Sequence, residues 1–269
     1  MNFFEIVSPY LAGLSKNDQE LFDFVVKNMV EIRGKSIREV AAMAYVSSAT
    51  FLRFVQKIGF SGYSEFSTVI KFTLLNQRAP EKQPFTVEQR DYRQEYLKNI
   101  NESVRVIQAQ KLEQVVNLLA QHPEVFFFAN GVSKHITEYL YYLYTMAGFS
   151  VHFPRDHDYR RLAIHQVNSN SVVFILSYHG NDDEHITMLN DFHRAKVTPT
   201  IISVTQADNN IIQNLSDINF YMFTDDVFLN GSDITSHISM MAILELILYQ
   251  YIENYGQRDF NFPGIQTKQ

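Results

Sequence analysis

Through the first 78 residues the apolar positions recur at helical spacing, with polar residues between them. Leu21, Phe22, Val25, Val26 and Met29 share one face, behind a Ser15 that opens a helix with Asp18 three residues on. Ser36 and Glu39 repeat that capping pair ahead of a short stripe of Ile37, Val40, Ala41 and Ala44. Ala44, Tyr45 and Val46 form a tight connection. Ser47 then caps a third helix that ends at Ile58, with Gly59 as its left-handed stop. Phe51, Phe54, Val55 and Ile58 make the buried face of that helix, and Phe66, Val69, Ile70 and Leu74 repeat the pattern in a fourth.

The pattern then changes. Pro80 and Pro84 stand among polar residues, which reads as a linker. The spacing predicts a long helix over 88–121, ending at His122-Pro123. Strand-length apolar runs at Val125–Ala129, 150–153, Val172–Leu176, 200–204 and Ile218–Met222 follow, alternating with helices at 134–146, Asp183–Ala195 and 232–255. Such alternation predicts a parallel sheet covered on both faces. The expected organisation is an all-α domain over 1–78, a linker over 79–94 and an α/β domain over 95–269. The fold class is therefore α+β in two domains.

Cysteine is absent, so disulfides, thiolate metal sites and cysteine nucleophiles are excluded. No apolar run is long enough for a membrane span, and the first residues do not read as a secretory signal; cytoplasmic location is expected. The net charge of −6 is unevenly spread. Residues 1–78 carry nine basic and seven acidic side chains, the rest fourteen and twenty-two. That asymmetry suggests two modules with different partners.

Two short helices joined by a tight turn, the second with one buried and one polar face, make a helix-turn-helix. On a helical wheel Ala49, Arg53 and Gln56 lie opposite the buried stripe of the third helix, flanked by Thr50, Leu52 and Lys57, with Ser48 at its start. Small residues there permit close approach to base edges. Arg53 and Gln56 suit bidentate contacts, and Lys57 suits a phosphate. The pattern alone equally fits a solvated helical surface. The run 36–66, with Ile37-Arg38-Glu39, Ala41, Ser47, Ala49-Thr50, Arg53, Lys57, Gly59-Phe60-Ser61-Gly62-Tyr63 and Phe66, resembles the N-terminal helix-turn-helix of the RpiR family of bacterial transcription regulators. That resemblance implies binding to double-stranded DNA.

Two loops in the second half, after the first and third strands, open helices: Asn130-Gly131-Val132-Ser133, and Ser177-Tyr178-His179-Gly180-Asn181-Asp182. Backbone amides and hydroxyls at such places can cradle an anion. The arrangement over about 95–255 resembles a SIS (sugar isomerase) domain, a three-layer α/β unit with a mostly parallel sheet. The resemblance implies a sugar-phosphate effector that modulates DNA binding to carbohydrate-metabolism genes, and a homodimer or homotetramer. The residues it implicates are Asn130, Gly131, Ser133, Lys134, Ser177, His179, Gly180, Asp182, Glu184 and Thr205, with Ser236 near a later hydroxyl-bearing segment. Where the SIS pattern reads S-x-S-G-x-T-x-E, this chain has His179 for the second Ser and Asp182 for the Thr. A carboxylate beside a phosphate about 4 Å away, at an effective dielectric near 20, costs about 4 kcal/mol. Weakened phosphate binding is expected unless Lys134, His135 or a protonated His179 compensates, or unless Asp182 turns to solvent.

No cofactor or metal site is expected: the pairs His152/His157 and His179/His185 lack ligand spacing. Glu184, His179 and His237 form a conceivable acid–base set, which keeps a sugar-phosphate isomerase with an accessory helical domain as an alternative, beside a regulator that has lost ligand sensing. No catalytic residue is assigned. Tyr139, Tyr141, Tyr142 and Tyr144, with Phe126–Phe128, read as core or subunit interface. The final helix, with Ile238, Met241, Leu244, Ile247, Leu248 and Tyr251, reads as a dimer surface.

Overall fold

A computed structural model describes residues 3–77, 92–224 and 226–256. Most of the expected linker lies outside the described residues. Its last part, from Tyr92, is helical.

The N-terminal region is helical, as the periodicity predicts: α1 (Phe3–Val7), a 3-10 turn (Ser8–Gly13), α2 (Lys16–Lys27), α3 (Met29–Ile32), α4 (Ile37–Met43), α5 (Ser48–Lys57) and α6 (Tyr63–Gln77). The caps sit where the sequence puts them. Ser15 and Asp18 close a capping box on α2, and Ser36 and Glu39 close one on α4, where the Ser36 amide donates to Glu39 at 2.8 Å. Ser47 Oγ accepts the Thr50 amide at 3.1 Å, starting α5. Such caps each contribute about 1 kcal/mol. Gly59 holds φ at +101°, and a Cβ there would run into the Tyr10 ring. The core of this region is aromatic: Phe3, Phe22, Phe51, Phe60 and Phe66 are buried, with ring centroids 5.5–6.4 Å apart along the chain of contacts.

The long helix expected over 88–121 is two helices, α7 (Tyr92–Arg105) and α8 (Ala109–Leu119). The chain turns at Val106, Ile107 and Gln108, where burial of Val106 outweighs helical continuity, and no Gly or Pro announces the break. The sheet follows: β1 (Val125–Ala129), α9 (Ser133–Met146), β2 (Val151–His152), α10 (His157–Ile164), β3 (Val172–Leu176), α11 (Asp183–Ala195), β4 (Thr200–Gln206), α12 (Ile211–Asn214) and β5 (Ile218–Met222). A small hairpin, β6 (Phe228–Leu229) and β7 (Ser232–Asp233), then precedes α13 (Ile238–Tyr255). The second strand of that hairpin occupies the start of the helix that the periodicity predicts over 232–255.

All five main strands run parallel in the order β2-β1-β3-β4-β5. Alternation along β1 explains the layers. Val125, Phe127 and Ala129 face a core shared with α8, α9 and α13, whereas Phe126 and Phe128 face one shared with residues of α10, α11 and α12. The final helix is therefore a core element rather than the expected dimer surface: Leu244, Ile247, Leu248 and Tyr251 are buried in their own chain, and Tyr144 Oη donates to the Leu244 carbonyl at 3.0 Å. Of the tyrosines read together on α9, Tyr144 is core, while Tyr139, Tyr141 and Tyr142 are exposed.

The two regions touch. Phe4 of α1 packs on Phe223 just past β5, with centroids 4.1 Å apart. Asp23 of α2 pairs with Lys111 of α8 at 2.9 Å and accepts from Gln108 at 3.0 Å. Lys111 also reaches the Asn219 carbonyl at 3.3 Å and lies over the Tyr221 ring.

Candidate nucleic-acid interface and effector crevice

The α4–α5 pair forms the predicted helix-turn-helix. Phe51, Phe54, Val55 and Ile58 are all at most 1% exposed, and Ala49, Thr50, Arg53, Gln56 and Lys57 are exposed on the opposite side. Ser48 and Leu52 are half-buried at the margins. Arg53 lies back over its own helix, with Nε 3.4 Å from the Ala49 carbonyl, and is otherwise turned to solvent. Lys57 is not free in the same way: it pairs with Asp18 of α2. The turn between the helices puts Tyr45 at φ +55°, left-handed backbone that costs a bulky residue on the order of 1–2 kcal/mol, and leaves its side chain 97% exposed.

The second site sits at the carboxyl end of the sheet. Because β1 connects to β2 on one side while β3 lies on its other, the strand order reverses between β1 and β3, and a crevice opens there. The two glycine-containing loops line it. Gly131 has φ +56°, and Gly180 has φ +65° with its backbone pressed on Asn210, so neither tolerates a side chain without strain.

Several polar groups of this crevice are bonded to each other. Asp182 caps α11, accepting the His185 amide at 3.0 Å, and also accepts from Asn130 Nδ2 across the crevice at 3.0 Å. The expected carboxylate thus neither turns wholly to solvent nor stands unpartnered: it occupies the His185 amide at the start of α11, a donor that an anion would use. Glu184 accepts two hydrogen bonds from Arg160, at 2.7 and 2.8 Å, one from Asn130 at 3.2 Å, and contacts His157 at 3.0 Å. The Arg160 guanidinium, helped by Asn130 and His157 and opposed by partial burial, holds the Glu184 carboxyl down at about 2. Ser133, 2% exposed, shares a hydrogen bond with His237 Nδ1 at 3.2 Å. Burial pushes His237 below the ordinary histidine value and does the same to His185, 1% exposed behind Asp182.

Thr205 is not at the crevice surface. It is fully buried, and its hydroxyl accepts from Gln213 at 2.6 Å and Asn210 at 3.1 Å. His179 is exposed, 3.9 Å from Asp233 of the hairpin. Lys134 and Ser177 are half-buried. Sequence reading missed Arg160, which organises Glu184. Its only signal is an Asp156 cap ahead of a short polar helix. A groove of about 680 Å³ beside β2, walled by Tyr141, Phe153, Tyr159 and Leu162, shares no lining residue with the two loops. The crevice is therefore assigned by topology and chemistry, not by volume.

Residues 1–77 match the helix-turn-helix domain of the rpiR family, and residues 118–249 match the SIS domain. The chain belongs to the rpiR family of helix-turn-helix transcription regulators, with a SIS domain as its second half. An uncharacterized HTH-type transcriptional regulator of Haemophilus influenzae is 22% identical over all of this chain and 94% of its own. The HTH-type transcriptional regulator GlvR of Bacillus subtilis is 22% identical, covering 94% of this chain and 96% of its own. The NanR protein of Vibrio vulnificus, solved with ManNAc-6P, shares the fold at a TM-score of 0.56 and 18% identity, over 94% of this chain and 92% of that one. Among the described residues no helix is long and apolar enough to cross a membrane, and no group of side chains is arranged for a metal ion.

Proposed function

We propose that α5 enters the major groove of operator DNA, with Arg53 and Gln56 reading base edges and Ala49, Thr50, Leu52 and Ser48 lying close to the duplex. The observation that carries this reading is the division of α5 into one fully buried face and one exposed face that begins with small residues and continues into Arg53 and Gln56. Lys57 contributes to phosphate binding only when it leaves Asp18. Anisotropy titration of the full chain with promoter fragments is the test. Wild-type protein that prefers no fragment, or Arg53→Ala protein that matches it, overturns the reading.

The SIS half acts as the sensor of a small metabolite, a sugar phosphate or a related compound, bound in the crevice between the β1 and β3 loops. The ManNAc-6P complex of the Vibrio vulnificus relative supports a phosphorylated sugar as the ligand class. In this chain an anionic group reaches the α11 amides only by displacing Asp182. Asn130, Gly131, Ser133, Lys134, Ser177, His179, Gly180 and Glu184 form the surroundings. The protein works in the cytoplasm as a homodimer or homotetramer and controls carbohydrate genes without turnover. Glu184, the carboxylate an isomerase would need as base, is neutralised by Arg160 and held at about 2, where it is too weak a base near neutral pH.

A further inference from the structure

We propose that Arg38, Ala42 and Tyr45 form a strip on the helix-turn-helix that grips the DNA backbone, with Tyr45 Oη donating to a phosphate oxygen and Arg38 supplying the charge. The inference rests on the reading of α5 as the groove-entering helix and names a contact outside it.

Three observations carry it. First, Arg38 and Ala42 lie one helical turn apart on α4, Tyr45 stands in the turn just beyond it, and all three are exposed. Tyr45 follows the Ala44 cap that ends α4 and precedes, by two residues, the Ser47 cap that starts α5. Ala42 between the two polar tips leaves room for a backbone to approach. Second, Tyr45 is an aromatic side chain that the fold gains nothing by placing there: it is 97% exposed and sits at φ +55°, a conformation that suits glycine. A residue held in strained backbone, with its ring in solvent, has its use outside the folded chain. Third, the basic residue of α5 best placed for a phosphate, Lys57, is held by Asp18, so another anchor is needed to set the register of α5. Glu39, the acidic neighbour on α4, is turned back onto the Ser36 amide and hydroxyl, which takes its charge toward the cap.

The occupant is double-stranded DNA, and in the chain the strip leads directly into α5. In helix-turn-helix proteins the first helix crosses the backbone while the second enters the groove. Phosphate contacts carry no sequence information, so a mixed-sequence duplex three helical turns long serves as probe. Anisotropy titrations of the full chain are run between about 50 and 200 mM salt. Arg38→Ala should weaken binding about 5–10-fold at the lower salt and reduce the slope of log K against log salt by about 0.9. Tyr45→Phe, which keeps the ring and removes the donor, should weaken binding about 3–5-fold with little change in slope. Tyr45→Gly should lose at least as much affinity while its thermal midpoint stays at or above wild type, since glycine relieves the backbone; that separates lost contact from lost fold. If the wild type binds and either Arg38→Ala or Tyr45→Phe binds equally well with the same salt dependence, the strip is overturned. If the wild type itself binds no duplex even at low salt, the reading of α5 fails, and the strip falls with it.

Discussion

The outer face of α5 and the crevice at the strand ends are built on opposite plans. On α5 the polar side chains are presented outward with few internal partners: Gln56 and Arg53 are exposed, and the one bond Arg53 makes is a long one to its own helix. In the crevice the polar groups satisfy each other, through Asp182 with Asn130 and the start of α11, Glu184 with Arg160, and Ser133 with His237. The first surface, Lys57 apart, is prepared to make bonds while breaking few. The second must exchange internal bonds for external ones, so a ligand there gains only the difference. A surface of the first kind binds by encounter. A site of the second kind binds by rearrangement, which is a requirement for a sensor that has two states.

Substitutions should separate the two plans by stability first and by binding second. Glu184→Gln leaves the buried Arg160 without its bidentate partner and should cost about 2–3 kcal/mol of stability, discounted because Glu184 is itself part-exposed; urea unfolding measures it. Acid gives an independent check. The Glu184 carboxyl lies at about 2 when folded, below its ordinary 4.5, so its stabilisation is complete above pH 4.5 and drains away as pH falls toward 2. A pH series of thermal midpoints should show that loss in the wild type and a shallower one in Glu184→Gln. Arg53→Ala is the contrasting case. It should cost about 1–3 kcal/mol in operator binding and less than about 0.5 kcal/mol in unfolding. A stability loss as large as that of Glu184→Gln would erase the distinction between the regions.

Asp182→Ala sits between these. It removes the cap of α11, about 1 kcal/mol, and frees the amides that the carboxylate fills. Inorganic phosphate should then raise the thermal midpoint of the variant more than that of the wild type; equal shifts would mean that Asp182 does not block the site. The smallest effect is Lys57→Ala. It breaks a part-exposed pair with Asp18 and should change stability by less than about 0.5 kcal/mol, with DNA affinity falling less than in Arg53→Ala.

Much of the helical half was legible because its signals are local. Ser15–Asp18, Ser36–Glu39 and Ser47 announce helix starts through their own side chains, and Gly59 announces a stop through its φ. The central strands were legible for a related reason: runs such as VFFFA, buried on both faces, fit few other structures. What stayed hidden depends on distant partners. The break at Val106 follows from what that residue packs against, and the turn at Tyr45 uses a residue that local rules would not choose. The two glycine loops are legible in the sequence, but the partners of their polar groups are not. By its position Asp182 reads as a charge facing a ligand, but Asn130, fifty-two positions away, and the start of its own helix hold it. Arg160 gave no motif at all. Its importance comes from burial beside Glu184, which only the folded chain displays.

The contact of Phe4 with Phe223 sets the residue just past β5 against α1, the first helix of the other half. Tyr178, in the middle of the β3 loop, donates to the Thr224 carbonyl at 2.8 Å, and Thr224 is the next residue after Phe223. One peptide link therefore separates a group anchored to the loop after β3 from an aromatic ring wedged into the other half of the molecule. The loop after β3 is thus tied, through a single backbone link, to the aromatic core of the helical half.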